Sequence, residues 1–280
     1  MRTSFLFRSL IVAGLTSVAV GCASLPSTPM IEASQWPAVL QRNAPPQALL
    51  LGEQHDAPEH QQWQHATVQA LIARQQLAAL VLEMADQGGD TRSLPHNASE
   101  AAVQAALQWN DKGWPWQAYG PAVMAAVRAG IPVFGGNLPR AGMRQVMQDS
   151  AWDGHLPATA WEQQRQAIRS GHCDLLPEGQ ITPMARIQLA KDARMAHTMA
   201  QQVQSGKTVV LIAGRGHVLR SIGVPTWLPA DITRTIAIGQ AGDKAQAEPG
   251  DSDYVVRTPA LPDKDHCAGL RAQWGQPATK

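Results

Sequence analysis

Two tetrapeptides of one form, Gly52-Glu53-Gln54-His55 and Gly214-Arg215-Gly216-His217, place a histidine three residues after a glycine, and each directly follows a short apolar run. Imidazoles and carboxylates gathered in one place can trade protons as general acid and base. They can also hold a divalent metal such as zinc, which would activate water for hydrolysis. The preceding runs, Ala48-Leu49-Leu50-Leu51 and Val209-Val210-Leu211-Ile212-Ala213, are continuously hydrophobic and too short for helices, as strands buried on both faces are. Leu80-Val81-Leu82 leads in the same way into Glu83-Met84, and Ile131-Pro132-Val133-Phe134 into Gly135-Gly136-Asn137. Open parallel sheets bind ligands beyond the carboxyl ends of their strands. Glu53, His55, Glu83, Asn137, Arg215 and His217 all fall at such ends, so the pattern predicts one cleft assembled from distant parts of the chain. The competing reading is structural, with glycines permitting tight turns and histidines held in a polar network. No HExxH zinc motif, P-loop or GxSxG elbow occurs, and the dinucleotide fingerprint is not matched at a strand-to-helix turn.

The elements that must position these residues are legible in outline. Pro58 to Gln76 carries Val68, Leu71 and Ile72 at helical spacing, which suits a crossover helix. Gly88 to Asn97 reads as loop, Ser99 as the cap of a helix running to Leu107, and Trp109 to Trp116 as a turn-rich aromatic stretch. Pro121 suits a first helical turn, with Val123, Met124 and Val127 inward and Gly130 ending the helix. From 140 to 205 the pattern is helical, broken at Gly154, Pro157 and a loop from Gly171 to Gly179, which predicts a smaller helical subdomain inserted in the chain. Thr235-Ile236-Ala237-Ile238 and Tyr254-Val255-Val256 read as further strands flanking a polar loop. The order predicts an α/β fold, a parallel sheet flanked by helices, over residues 46–270.

The chain has 280 residues, enough for one substantial core, and a formal charge of +1, which gives no basic footprint for nucleic acid. Arg2 and Arg8 precede an apolar segment from Leu10 to Val20 that closes on Gly21-Cys22. This reads as a signal peptide over 1–21 whose ending resembles a bacterial lipobox, with Cys22 lipidated. Ala23 stands where an inner-membrane retention aspartate would sit, so the expected location is the periplasmic leaflet of the outer membrane. Residues 22–45 are expected to be a tether and 271–280 a tail. Export into an oxidising compartment allows Cys173 and Cys267 to pair, although spacing alone cannot place them within bridging distance.

Tyrosine is scarce, with only Tyr119 and Tyr254 present. Tyr119 follows Trp114 and Trp116 and abuts an expected helix start, whose partial positive charge would favour phenolate, a donor suited to ferric haem. The ordinary alternative is a packed amphipathic ring with a wet hydroxyl. Met184, Ile187, Met195 and Met199 trace one helix face, which could line a flat ligand but more often is core. His172, beside Cys173, and the weaker candidate Lys112 could meet a propionate.

Taken together, Leu51-Gly52-Glu53-Gln54-His55-Asp56, Leu82-Glu83-Met84, the Trp-rich stretch ending at Tyr119, Gly171-His172-Cys173 and Gly214-Arg215-Gly216-His217-Val218 resemble the ChaN family of haem-binding uptake lipoproteins. The resemblance implies a parallel sheet with a small helical domain and a homodimer that forms on haem binding and encloses stacked ferric haems. It implies a tyrosine as iron ligand, which maps onto Tyr119, and a histidine and a lysine of the other subunit on the propionates, for which His172 and either Lys112 or Lys191 are the candidates. Haem would come from an outer-membrane receptor. The strand-end motifs also resemble a wider superfamily with paired GxxH motifs that includes metal-dependent proteases of the Tiki and TraB type. There Glu53, His55, Glu83, Arg215 and His217 would be catalytic around a divalent metal, so an enzyme is the second expectation.

Overall fold

Each apolar run placed before a candidate site residue becomes a strand, and among the described residues every strand pairing is parallel. The computed structural model describes residues 28–243 and 250–274, so the expected signal peptide and Cys22 lie outside the described residues. The strands are β1 (Met30–Glu32), β2 (Ala48–Glu53), β3 (Leu77–Asp86), β4 (Val133–Asn137), β5 (Thr208–Gly214), β6 (Arg234–Ala241) and β7 (Tyr254–Thr258). They form one sheet in the order β1-β7-β6-β2-β5-β3-β4. The helices are α1 (Trp36–Arg42), α2 (Pro58–Ala73), α3 (Glu100–Ala106), α4 (Trp116–Arg128), α5 (Arg140–Gln148), α6 (Ala158–Gly171), α7 (Glu178–Ala200), α8 (Arg215–Val218) and α9 (Ala268–Trp274).

Alternation along each strand explains why the runs are apolar throughout. Leu49 and Leu51 join the core under α1, α2 and α4, whereas Ala48 and Leu50 join the one under α7. With helices on both faces, neither set of side chains sees water. Met195 and Met199 are fully buried in that second core, so the methionine stripe of α7 is packing. The helical subdomain is therefore α5, α6 and the first half of α7; the second half of α7 belongs to the sheet. Among the described residues no helix is long and apolar enough to cross a membrane.

Two boundaries differ from the sequence expectation. The expected tether over 22–45 contains β1, paired with β7 through Ile31 and Val256, and α1, whose Trp36 is 1% exposed and donates to Thr67. A three-residue strand is too short for periodicity to reveal. α4 begins at Trp116 rather than near Pro121: Pro115 stands at its N-cap, and Pro121 sits inside the helix, where it gives up the hydrogen bond to the carbonyl four residues back and crowds it. Tyr119 is thus part of the helix and not in front of it. Ser99 caps α3 as expected, accepting from the Ala102 amide.

Candidate functional site

β5 lies between β2 and β3, and Glu53 at the end of β2 is in register with Gly214 at the end of β5. The tetrapeptides thus come from adjacent strands. Both glycines answer to close approach: a Cβ on Gly52 would lie 2.4 Å from Val218 of α8, and one on Gly214 would lie 2.7 Å from Nε2 of His55.

The side chains meet in one ion-paired cluster. Glu83 is 3% exposed and accepts the Gly214 amide at 2.7 Å; Nε2 of His217 lies 3.3 Å from it, Nε2 of His55 3.8 Å and Nζ of Lys191 3.9 Å. Nδ1 of His217 lies 2.6 Å from Asp192, a buried carboxylate of α7. Nδ1 of His55 lies 2.8 Å from Glu53, which also accepts from Gln61 at 3.1 Å and from the Tyr119 hydroxyl at 2.6 Å. Asn137 donates to the Glu83 carbonyl at 2.8 Å. Carboxylates Glu53, Glu83 and Asp192 therefore face cations His55, His217 and Lys191, and the pairing offsets their desolvation.

Protonation follows from this arrangement. Burial works against charge on His217, yet Glu83 and Asp192 outweigh it and push the imidazole up to about 10. His55 is raised in the same way, by its bond to Glu53 and the charge of Glu83 against the cost of burial. Burial lifts the Asp192 carboxyl to about 6 against the pull of His217, while the cations around Glu83 hold it far below the usual carboxylate range despite burial. Burial lowers the Arg215 guanidinium.

The cluster floors a cavity of about 700 Å³ lined by Glu53, His55, Asp56, Arg215, His217 and His266. A smaller hollow of about 280 Å³ shares His55 and Asp56 and continues along α2 and α4. Trp114 stands edge-on to His55, 4.8 Å between ring centres. His266 reaches the cavity because Cys267 is bonded to Cys173, with Cα atoms 5.8 Å apart, which folds the segment after β7 back over the strand ends. Gly171, at the end of α6, lines the same cavity, so His172 stands at its edge, its Nδ1 2.8 Å from the Ile168 carbonyl. Lys112 is exposed in the turn before α4 and does not line the cavity.

Tyr119 corrects the phenolate expectation. Its ring is 3% exposed, packed against Trp109 and Trp114, and its hydroxyl donates to Glu53. Burial and the Glu53 carboxylate push its pKa far above the normal tyrosine range. The helix N-terminus is outweighed by a full negative charge at hydrogen-bond distance, and the group is a phenol. The cluster also fits a divalent metal poorly, because ligand imidazoles must be neutral with a nitrogen to spare, and both nitrogens of His217 face carboxylates. Among the described residues no group of three or more His, Cys, Asp or Glu is arranged to hold a metal ion.

Asp192 and Gln61 were missed by sequence reasoning. The signal for Asp192 was a lone charge on the buried stripe that continues through Met195 and Met199; for Gln61, in a helix rich in glutamine, there was none. Gly214→Ala is expected to fold with a loss of about 1 kcal/mol, since the half-exposed His55 ring can swing away. His55 then leaves Glu53, and its pKa, followed by NMR of the ring, falls toward the ordinary value. A pKa still raised would show that Gly214 does not set this contact.

Residues 39–228 match the family model described as haem-binding uptake, Tiki superfamily, ChaN. Among solved structures, ChaN of Campylobacter jejuni, described as binding haem cofacially, is 23% identical with a TM-score of 0.64; the match covers 78% of this chain and 89% of that one, and it shows the fold. The type III effector HopBA1 matches at 15% identity and TM-score 0.47, over 86% of this chain and 100% of that chain. A Bacillus cereus protein matches at 14% and 0.37, over 77% and 72%. No curated protein sequence matches.

Proposed function

Because the chain belongs to the ChaN family of haem-binding uptake proteins in the Tiki superfamily, we propose that it takes ferric haem as cargo in the strand-end cavity and hands it on in haem uptake. The observation that carries this reading is the cavity itself, about 700 Å³, with most of its lining inside the matched span. Arg215 in its wall suits a ligand with an anionic edge, and the Trp114 ring stands beside His55 at its margin. Two chains share the haem across a dimer interface, and Cys22 carries a lipid that holds the protein on the periplasmic leaflet of the outer membrane, within reach of a haem receptor.

Tyrosinate coordination by Tyr119, which the family resemblance implies, requires the hydroxyl to leave Glu53 and give up a proton that burial keeps on it. Tyr119→Phe decides that point, because loss of a tyrosinate-type spectrum assigns the iron to Tyr119. Haem shared between subunits also couples association to ligand. Sedimentation velocity is expected to show monomer without haem and dimer with it; one species in both conditions contradicts the shared site.

The alternative, a metal-dependent hydrolase or protease, draws on the convergence of His55, His217, Glu53 and Glu83. It requires stoichiometric metal that is lost in His55→Ala or His217→Ala, and elemental analysis of the purified protein separates it from the haem reading.

A further inference from the structure

After β7 the chain runs from Pro259 to His266 without helix or strand, mostly exposed, before α9 begins. It passes the ends of β6 and β2 to reach Asp56 and puts His266 in the wall of the strand-end cavity. The segment is a strap across the cavity's rim.

One covalent bond is its main fastening. Lys264 and His266 each approach Asp56 at 3.6 Å, but the three side chains are between 40% and 67% exposed, and pairs so wet hold little. Cys267, at the far end of the strap, is bonded to Cys173, 94 positions away, with Cα atoms 5.8 Å apart. Gly171, on the α6 side of that bond, lines the same cavity. The disulfide therefore closes the rim between α6 and the strap.

Its setting suits a bond that opens. Both cysteines are half-buried, within reach of an attacking thiolate, and disulfides so exposed are the labile ones. Cys173 holds φ +57° and Asp174 +56° just past the end of α6, a left-handed conformation that helix ends usually give to glycine. Keeping a β-carbon there is costly. The strap is thus tied to a strained turn and not to a helix or strand.

We propose that the Cys173–Cys267 bond is a redox latch, and that exchange with a dithiol protein of the same compartment frees the strap and widens the entrance to the strand-end cavity. This holds whatever cargo the cavity takes. One thiolate of the dithiol attacks the sulfur of Cys267, and Cys173 leaves as a thiolate that takes a proton. The second thiol then displaces Cys267 from the mixed disulfide. Two electrons and two protons pass from the dithiol, which departs oxidised.

The mature protein is incubated with dithiothreitol while thiol release and circular dichroism are followed together. The bond is expected to open with the circular dichroism unchanged. Cys173→Ser and Cys267→Ser, which free the strap without reductant, are compared with wild type by trypsin cleavage after Lys264 and by carbethoxylation of His55. Mass spectrometry locates both, and the second is repeated across pH to separate access from protonation. Cleavage is expected to quicken at least about tenfold, because a tethered segment must open before a protease can take it, and His55 to react severalfold faster. Thiols released only as the fold unfolds, either rate unchanged in both variants, or loss of the folded state in both, overturns the latch and leaves a structural crosslink.

Discussion

Glu83→Ala is expected to lower the unfolding free energy by about 3–5 kcal/mol, the cost of removing one partner from a buried charge network. Glu83 is 3% exposed and is the hub on which His217, His55, Lys191 and the Gly214 amide converge. Without it, His217 loses the carboxylate at Nε2, the Gly214 amide loses its acceptor, and the cluster carries excess positive charge around a buried position. Glu83→Gln keeps an acceptor for the amide and removes only the charge, so it should fall between wild type and alanine. Urea unfolding of the two variants measures the difference. A loss below about 1 kcal/mol for alanine, as for an exposed pair, would show that water replaces the carboxylate and that the cluster is not buried in solution.

The second large effect is on alkaline stability. His217 has a folded pKa pushed up to about 10, above the ordinary imidazole value, so between those values the native state holds a proton that the unfolded chain has lost. Its contribution is fully present below about pH 6.5 and is lost as the pH rises through about 10. Glu83 acts at the other end: its depressed pKa stabilises the fold at neutral pH, and that contribution is lost as acid titrates the carboxyl below its usual range. Asp192, lifted to about 6, opposes it, since the native state keeps a proton there that the unfolded chain releases as pH rises from its ordinary carboxyl value. Wild-type stability should therefore fall by several kcal/mol from pH 7 to 10, and His217→Gln should flatten that slope. Equal slopes in the two proteins would mean that His217 is neutral at pH 7 and that its contacts are ordinary hydrogen bonds.

What the sequence disclosed and what it hid divide along physical lines. Strands buried on both faces announce themselves as unbroken apolar runs, and the chemistry at their ends follows from the rule that parallel strands deliver residues to one edge; Glu53, His55, Glu83 and His217 were found in this way. The sequence did not say that β5 inserts between β2 and β3, because order within a sheet is settled by packing across distant segments. That insertion is what brings Glu53 and Gly214 into register. The phenolate expectation for Tyr119 was misled for a related reason: a helix start and nearby tryptophans describe its neighbours in the chain, while its protonation is set by burial and by Glu53, sixty-six residues away. His266 carried no local signal. Only the Cys173–Cys267 pairing, which the sequence allowed without placing, brings it to the cavity.

The most direct measurement fills the cavity and asks whether haem is shut out. Gly216 lines it, and a Cβ there would meet nothing within 4 Å, so Gly216→Trp can project into the space without straining the fold. Ferric haem titrated into this variant, with stability matched to wild type by urea unfolding, should bind at least about tenfold more weakly, because a displaced ring loses more than the 1.4 kcal/mol that a factor of ten represents. An affinity equal to that of the wild type would place the cargo somewhere other than the strand ends.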